Sequence, residues 1–345
     1  MLRRRRAITR AAIATFFIVA CAAAPLAIPP APPLGVSLRE EVDAASNAFA
    51  FARVDDCVLP DFIANDAAGP RVIEDVAYGD DKKQKYDLAL PDDDAATTRA
   101  LVVIVHGGGW TSGGKRLFRP TIRMLATLGY AAASVGYRLA EDAARAFPIG
   151  LEDVRCAIRA VTSRVAARKT ILLGASAGGH LAALAALAPD APRWDGECAD
   201  RRALKIDGAI LYYAPLEIDH ARDRYVPIMR QAVDEFLFGA KTYKDLDGAI
   251  DEDGSDYLAR AHDATPRHLV APGAPPMLLL NGGSDAIVPI ADARDFSTAL
   301  DAAHVPNLVV ELPDQGHGFS VLGHKPAVKP ASCTTLRFLE QISAQ

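Results

Sequence analysis

The sequence has no excess of positive charge, no internal repeat and no low-complexity tract. Its 38 Lys and Arg residues are outnumbered by 43 Asp and Glu residues, so the net charge is −5 and the pI is about 5.9. A basic patch for nucleic acid would need the opposite balance, so we expect no nucleic-acid partner. The missing repeat excludes solenoids and propellers. The 25 glycines are too few for collagen, and the 50% hydrophobic content excludes a disordered chain.

Metal-ligand spacing is also missing. The eight histidines are scattered, and none of the five cysteines forms a Cys-x-x-Cys pair. A structural zinc site is normally built from such closely spaced ligands. We therefore expect no metal site.

The N-terminus has the pattern of a secretory signal. Five arginines among the first ten residues precede an apolar run at 11–24. That run is shorter than the roughly 20 residues that cross a bilayer. We predict a signal peptide over 1–24 and a Pro-rich spacer over 25–37, an uncleaved anchor being the alternative. Cys21 ends a lipobox-like sequence, so it is either a lipid anchor or a chance cysteine, and we expect export to the periplasm or the exterior.

Four cysteines remain beyond the signal segment: Cys57, Cys156, Cys198 and Cys333. In an oxidising compartment they can form two disulfides in one of three pairings. Four buried thiols are the alternative. The oligomeric state is left open by the sequence.

From residue 71 onward, short apolar runs alternate with helical periodicity, which predicts an α/β fold with a mainly parallel sheet covered on both faces. We place all of it in one domain over residues 38–345, of which 38–70 has no assigned role. The predicted strands are 72–78, 85–90, 101–106, 131–135, 170–173, 206–212, 277–281 and 308–312. The predicted helices are 118–128, 151–165, 178–187, 290–303 and 331–342. A charged stretch at about 217–266 breaks the rhythm and is predicted to be an insertion over the carboxyl ends of the strands.

The segment Gly174-Ala175-Ser176-Ala177-Gly178 lies between a predicted strand and a predicted helix. In that context G-x-S-x-G is typical of a nucleophile elbow, in which a sharp turn exposes the serine hydroxyl at a helix N-terminus. A serine in an ordinary tight turn is the alternative. We predict that Ser176 is a nucleophile.

Three glycines follow His106 at the end of a predicted strand. They allow the backbone of Gly108 and Gly109 to approach a bound group and, with the Ala177 amide, to form an oxyanion hole. Trp110 adjoins this loop and is predicted to line the substrate pocket.

A base and its orienting acid should follow the serine in the order acid, then histidine. Asp285 and His317 each lie just beyond a predicted strand, on the same sheet edge as the serine. The alternatives are Asp314, Asp292 and Asp295 for the acid, and His106, His180 and His324 for the base.

The motifs HGGGW, GASAGG, NGGSD and QGHGF, in this order, resemble those of the α/β-hydrolase carboxylesterases related to hormone-sensitive lipase. Few residues precede Val72, so we expect no long N-terminal cap, and the resemblance then favours the acetyl- and feruloyl-esterase-like members. The acid motif departs from the usual His-Gly start, since it reads Asn281-Gly282. The resemblance implies an α/β-hydrolase fold and hydrolysis of small or medium esters without a metal or organic cofactor.

Two other functions are compatible with these residues. One is a peptidase or amidase on the same triad, and the other is a catalytically silent binding protein with the hydrolase fold. The aromatic residues of the insertion (Tyr225, Phe236, Phe238 and Tyr243) either line a pocket or form the insertion's own small core, which we favour. The expected partner is a small-molecule ester, and contact with a membrane is expected only through a lipid anchor.

Overall fold

The computed structural model describes residues 70–91, 98–239, 255–323 and 325–345. The predicted signal peptide, the spacer, Cys21, Cys57, Tyr243 and His324 lie outside the described residues.

One sheet of eight strands forms the centre of the protein, in the order β1-β2-β4-β3-β5-β6-β7-β8. β2 runs antiparallel to both of its neighbours, and all other neighbouring pairs are parallel. The strands are β1 Val72–Ala77, β2 Lys85–Ala89, β3 Leu101–Val105, β4 Ala131–Val135, β5 Thr170–Ala175, β6 Gly208–Tyr212, β7 Met277–Gly282 and β8 Asn307–Leu312. All eight predicted strands and the mainly parallel sheet are thus confirmed.

The central strands are apolar along their whole length because both faces of the sheet are covered. In β3, Leu101, Val103 and Val105 belong to the core on one face. Val102 and Ile104 belong to the core on the opposite face. Successive strand side chains point to opposite sides, so a continuous apolar run serves both layers.

Helices cover both faces. They are α1 Arg119–Thr127, α2 Ile149–Arg164, α3 Ala177–Leu187, α4 Ala221–Arg224, α5 Pro227–Phe238, α6 Ser255–Asp263, α7 Ile290–Ala302 and α8 Lys329–Ala344. Buried side chains of α1 and α8 join one core, and those of α2, α3 and α7 join the other. The five predicted helices are present with bounds shifted by no more than two residues.

The interval predicted as an insertion contains α4, α5 and α6 in its described part. Tyr225, Phe236 and Phe238 are all buried. They belong to the main core that the sheet shares with its helices, so the prediction that they form a small core of the insertion's own is wrong. Phe236 stacks on Trp110 with ring centroids 4.5 Å apart. This contact joins α5 to the loop that follows β3.

Cysteine pairing ties α2 to the loop beyond α3. Cys156 and Cys198 form a disulfide, and Cys333 is also disulfide-bonded. The sequence allowed three ways of pairing the four cysteines. The Cys156–Cys198 bond occurs in one of them and excludes the other two. Across the described ranges of the chain, no helix combines the length and apolar character needed to cross a membrane.

Candidate active site

Ser176 lies at the turn between β5 and α3. Its backbone has φ 53° and ψ −126°, a conformation that is strained for a residue other than glycine. The turn requires glycine on either side, since a Cβ at Gly174 would lie 2.4 Å from the carbonyl oxygen of Gly178. The N–H of Ser176 donates to the carbonyl oxygen of Tyr212 at 2.8 Å, which fastens the turn to β6. The serine therefore lies at the carboxyl edge of the sheet and at the N-terminus of α3.

Two hydrogen bonds connect Ser176 to a carboxylate. Ser176 Oγ lies 2.9 Å from His317 Nε2, and His317 Nδ1 lies 2.8 Å from Asp285 Oδ2. The other carboxylate oxygen accepts the N–H groups of Ile287 and Val288 at 2.8 and 2.9 Å. An ionised carboxylate can only accept, so His317 Nδ1 carries the proton and Nε2 accepts from the serine hydroxyl. A base oriented in this way can activate a serine nucleophile.

The loops that carry the acid and the histidine are bonded to each other. The N–H of Ser284 donates to the carbonyl oxygen of Gln315 at 3.0 Å. A Cβ at Gly282 would lie 2.1 Å from that same oxygen, so the close approach of the two loops requires glycine. Asn281 Nδ2 donates to the Val288 carbonyl oxygen at 3.3 Å. The asparagine that departs from the family motif thus holds the acid loop closed.

The competing acids are engaged elsewhere or point to solvent. Arg224 lies 3.3 Å from Asp292 Oδ1 and 2.6 Å from Asp295 Oδ2. Asp314 is exposed. Of the predicted candidates, Asp285 is the one that the structure brings to the histidine.

The competing bases are buried in the core. His106 Nδ1 bonds the carbonyl oxygen of Gly107, and His180 Nε2 bonds that of Ala264 at 2.7 Å. Burial lowers the pKa of each imidazole to about 4. Neither contacts the serine hydroxyl.

The glycine loop after β3 packs directly against the serine turn. A Cβ at Gly107 would lie 3.1 Å from the Ser176 Cβ. Gly108 and Gly109 have φ values of 121° and 57°, which a side chain would disfavour. In the described part of the chain, the N–H groups of Gly108, Gly109 and Ala177 have no hydrogen-bond acceptor. Such amides can bind an oxyanion.

Comparison with known protein families assigns the chain to one of them. A family model described as BD-FAE matches residues 86–300, more than half of the chain. The chain belongs to the BD-FAE family. This confirms the resemblance to carboxylesterases that the four motifs predicted.

Two relatives of this BD-FAE chain come from Mycobacterium tuberculosis (strain ATCC 25618 / H37Rv). "Probable carboxylic ester hydrolase LipM" is 29% identical over 244 residues, which cover 68% of this chain and 52% of the relative. "Esterase LipC" is 29% identical over 274 residues, which cover 77% of this chain and 64% of the relative. The chain therefore spans between half and two thirds of the length of these relatives.

Solved structures share the architecture. A truncated form of a carbohydrate esterase from gut microbiota aligns with a TM-score of 0.65 and 20% identity, covering 81% of this chain and 99% of that chain. Esterase B from Lactobacillus rhamnosis aligns with a TM-score of 0.64 and 22% identity, covering 81% and 87%. These similarities establish the α/β-hydrolase fold of the BD-FAE chain.

Trp110 does not face the candidate site of this BD-FAE chain. Its side chain is only 1% exposed. The indole Nε1 donates to His180 Nδ1 at 3.2 Å, and its ring stacks on Phe236. The prediction that Trp110 lines the substrate pocket is therefore wrong, because the side chain is buried by these partners and cannot reach a ligand.

Among the residues that the structure describes, one acidic group outside the candidate site has ligand atoms close enough together for a cation. These atoms belong to Glu217, Asp219 and His220 and lie within 4.8 Å of one another. However, Arg267 Nε lies 3.0 Å from Glu217 Oε2, and Arg267 Nη2 lies 3.7 Å from Asp219 Oδ2. A bound cation would face this guanidinium, so we assign the group no metal.

Proposed function

We propose that this protein is a serine carboxylesterase that hydrolyses small or medium esters through an acyl-enzyme. The observation that supports this most is the unbroken hydrogen-bond chain from Asp285 through His317 to Ser176 at a strained turn. The names of the mycobacterial relatives, a probable carboxylic ester hydrolase and an esterase, support the same reaction.

In the first half-reaction, Ser176 Oγ attacks the ester carbonyl carbon while its proton passes to His317 Nε2. Asp285 holds the imidazole in the required tautomer and stabilises the imidazolium that forms. The carbonyl oxygen becomes an oxyanion, which accepts hydrogen bonds from backbone N–H groups of the oxyanion loop and α3. The donors are Gly108, Gly109 and Ala177, and losing one such donor typically lowers kcat about 10²–10³-fold.

Collapse of the tetrahedral intermediate breaks the bond to the alcohol, which leaves with the proton from His317. Water then attacks the acyl-enzyme and gives a proton to His317. The second intermediate collapses, the acid is released and Ser176 recovers its proton. Every proton transfer in this sequence uses the same imidazole nitrogen, so the reaction needs no metal or organic cofactor.

Reaction with a fluorophosphonate tests this proposal. We expect the intact mass of the wild type to increase by one stoichiometric adduct, and Ser176→Ala to remain unmodified. A panel of nitrophenyl esters of increasing acyl length should be hydrolysed by the wild type and not by Ser176→Ala. Equal rates for the two proteins would refute the proposal.

The same panel separates the competing functions. Nitroanilides of matched acyl groups report an amidase or peptidase, and faster turnover of the anilides than of the esters would favour that function. A folded protein that neither forms the adduct nor turns over any substrate would favour the silent binding protein.

We further propose that the protein is exported. If it is a lipoprotein, Cys21 is the residue that carries the lipid anchor. The Cys156–Cys198 disulfide supports an oxidising compartment. Mass spectrometry of the mature N-terminus distinguishes cleavage near residue 24 from a diacylated Cys21. An unprocessed protein that remains in the cytosol would contradict export.

A further inference from the structure

Tyr213 follows β6, the strand between the serine strand β5 and the acid strand β7. Its φ of 39° lies in the left-handed region, which a bulky residue adopts only when its surroundings enforce it. The N–H of Tyr213 donates to the Leu280 carbonyl oxygen at 2.6 Å. Trp110, Ser176 and Tyr213, which follow the adjacent strands β3, β5 and β6, all have positive φ. In the described part of the chain, three of the six non-glycine residues with positive φ therefore lie along this edge of the sheet.

The Tyr213 side chain contacts the histidine loop at two points. Its ring meets the His317 imidazole edge-to-face, with centroids 4.9 Å apart and an interplanar angle of 63°. Its hydroxyl donates to the carbonyl oxygen of Phe319 at 3.1 Å, two residues beyond the histidine. The ring also packs against the Phe319 ring at 4.9 Å. The residue is 6% exposed, so these contacts are protected from water.

His317 needs such a support because the residues on either side of it restrict its conformation little. It is flanked by Gly316 and Gly318, and Gly318 has a φ of 79°. Glycine leaves the chain more conformational freedom than any other residue. The two hydrogen bonds of the imidazole lie at opposite ring nitrogens, so they do not by themselves fix the ring's tilt about the line between them.

We propose that Tyr213 is a positioning residue for the reaction: its ring sets the tilt of the His317 imidazole, and its hydroxyl anchors the histidine loop. This inference rests on the proposed function, in which one imidazole nitrogen exchanges protons with Ser176, the leaving alcohol and water in turn. All of these transfers require the same nitrogen to stay within hydrogen-bond reach. A displacement of about 1 Å at such a centre lowers the rate on the order of 10²-fold.

Two variants separate the roles of the hydroxyl and the ring. Tyr213→Phe keeps the ring and removes only the anchor at Phe319, so we expect kcat to fall about 5–10-fold, as for the loss of one hydrogen bond. Tyr213→Leu removes both contacts, and we expect kcat to fall about 10²-fold. In both variants KM should change by less than about 3-fold, because positioning the base does not alter substrate binding.

Tyr78→Phe is the matched control. The Tyr78 hydroxyl also donates to a backbone carbonyl oxygen, that of Gly136, at 2.6 Å, but it lies beside the β1–β2 hairpin and away from the triad. We expect its kcat and KM to equal those of the wild type. A comparable fall in kcat in this control would mean that the Tyr213 effect is a general consequence of losing a buried tyrosine hydroxyl, and would overturn the inference.

A second measurement does not depend on esterase activity. We expect the proton between His317 Nδ1 and Asp285 to give a far-downfield proton NMR signal, and the position of that signal would report the geometry of the hydrogen bond. We expect the signal to persist in the wild type and in Tyr78→Phe, to shift in Tyr213→Phe and to broaden or vanish in a folded Tyr213→Leu. Signals and kcat values equal to those of the wild type in both Tyr213 variants would refute the positioning role. If the wild type hydrolysed no ester, the proposed function would fall, and the NMR signals alone would still decide whether Tyr213 positions the imidazole.

Discussion

The buried imidazoles of His106 and His180 should make the protein lose stability in mild acid. Burial lowers the pKa of each from the ordinary 6.5 to about 4. In the unfolded chain both return to the ordinary value. Between these two pKa values the unfolded state binds more protons than the folded state, so acid favours unfolding. The contribution of the two neutral histidines to the unfolding free energy is fully present above pH 6.5. It is lost as the pH falls toward 4.

The size of the effect follows from the gap between the two pKa values. A gap of about 2.5 corresponds to about 3 kcal/mol of unfolding free energy for each histidine, since one pKa unit is worth about 1.4 kcal/mol. One carboxyl group acts in the opposite direction: burial raises the pKa of Glu217 to about 7. Protonation of Glu217 therefore stabilises the folded state as the pH falls below 7. This gain offsets about as much unfolding free energy as one of the two histidines loses.

The assay is urea unfolding of the wild type and of His180→Gln at pH 7.5 and pH 4.5. Glutamine does not titrate, and its amide can still donate to the Ala264 carbonyl oxygen that His180 bonds. The lost Trp110 contact lowers stability equally at both pH values and cancels in the comparison. We expect the variant to lose about 2–3 kcal/mol less than the wild type between the two pH values.

The comparison isolates His180, because Glu217 and the other titrating groups are common to both proteins. Equal losses in the two proteins would refute the reasoning, since they would mean that His180 binds its proton as readily when folded as when unfolded. His106→Gln repeats the test at an independent position.

Three further predictions concern the site and its scaffold. Asp285→Asn should lower kcat on nitrophenyl esters about 10⁴-fold with an unchanged melting temperature, because the amide favours the wrong tautomer of the base; a fall of less than about 10-fold would contradict the orienting role. Gly178→Ala should lower the unfolding free energy in urea by about 1–3 kcal/mol, because the new Cβ would lie 2.2 Å from a backbone carbonyl oxygen of β3. Gly114 has open space around it, so Gly114→Ala is the control and should leave the unfolding free energy unchanged. Replacing Cys156 and Cys198 by alanine removes a cross-link between residues 42 positions apart and should cost about 3–4 kcal/mol in urea unfolding without reductant; an unchanged midpoint would show that the unfolded chain gains no freedom.

Much of the fold could be predicted because it depends on local patterns. The apolar runs of the central strands and the helical stripe of α2 identify the layers of the sheet. The triad residues could be named because each lies one short step beyond a strand, and parallel strands bring their carboxyl ends to one edge.

The side chains of α2 illustrate what patterns miss. Arg155 and Arg159 look like a solvated face, yet both are buried and lie 2.9 and 2.6 Å from Asp195 Oδ1. This pairing depends on where the loop after α3 returns to α2. The Cys156–Cys198 bond depends on the same return, which is why the sequence left three pairings open.

The wrong prediction for Trp110 and the missing prediction for Tyr213 have a similar cause. The direction of Trp110 depends on the left-handed backbone of the glycine loop, which residue types alone do not determine. Tyr213 was not predicted to have a role, since its contacts appear only when β6 is placed beside β5 and the histidine loop is folded over it. A bulky residue directly after a strand and before a loop is the one signal that could have directed attention to it.

The order of strands along one half of the sheet also has a consequence for biosynthesis. β5, β6, β7 and β8 are neighbours in the same order in which they occur along the chain. With the proposed roles, the nucleophile, the positioning tyrosine, the acid and the base are therefore translated one after another, each beside the last. A chain halted before His317 carries the serine but not the group that activates it. The proposed activity therefore requires that the chain has been made beyond β8, the strand that leads to His317.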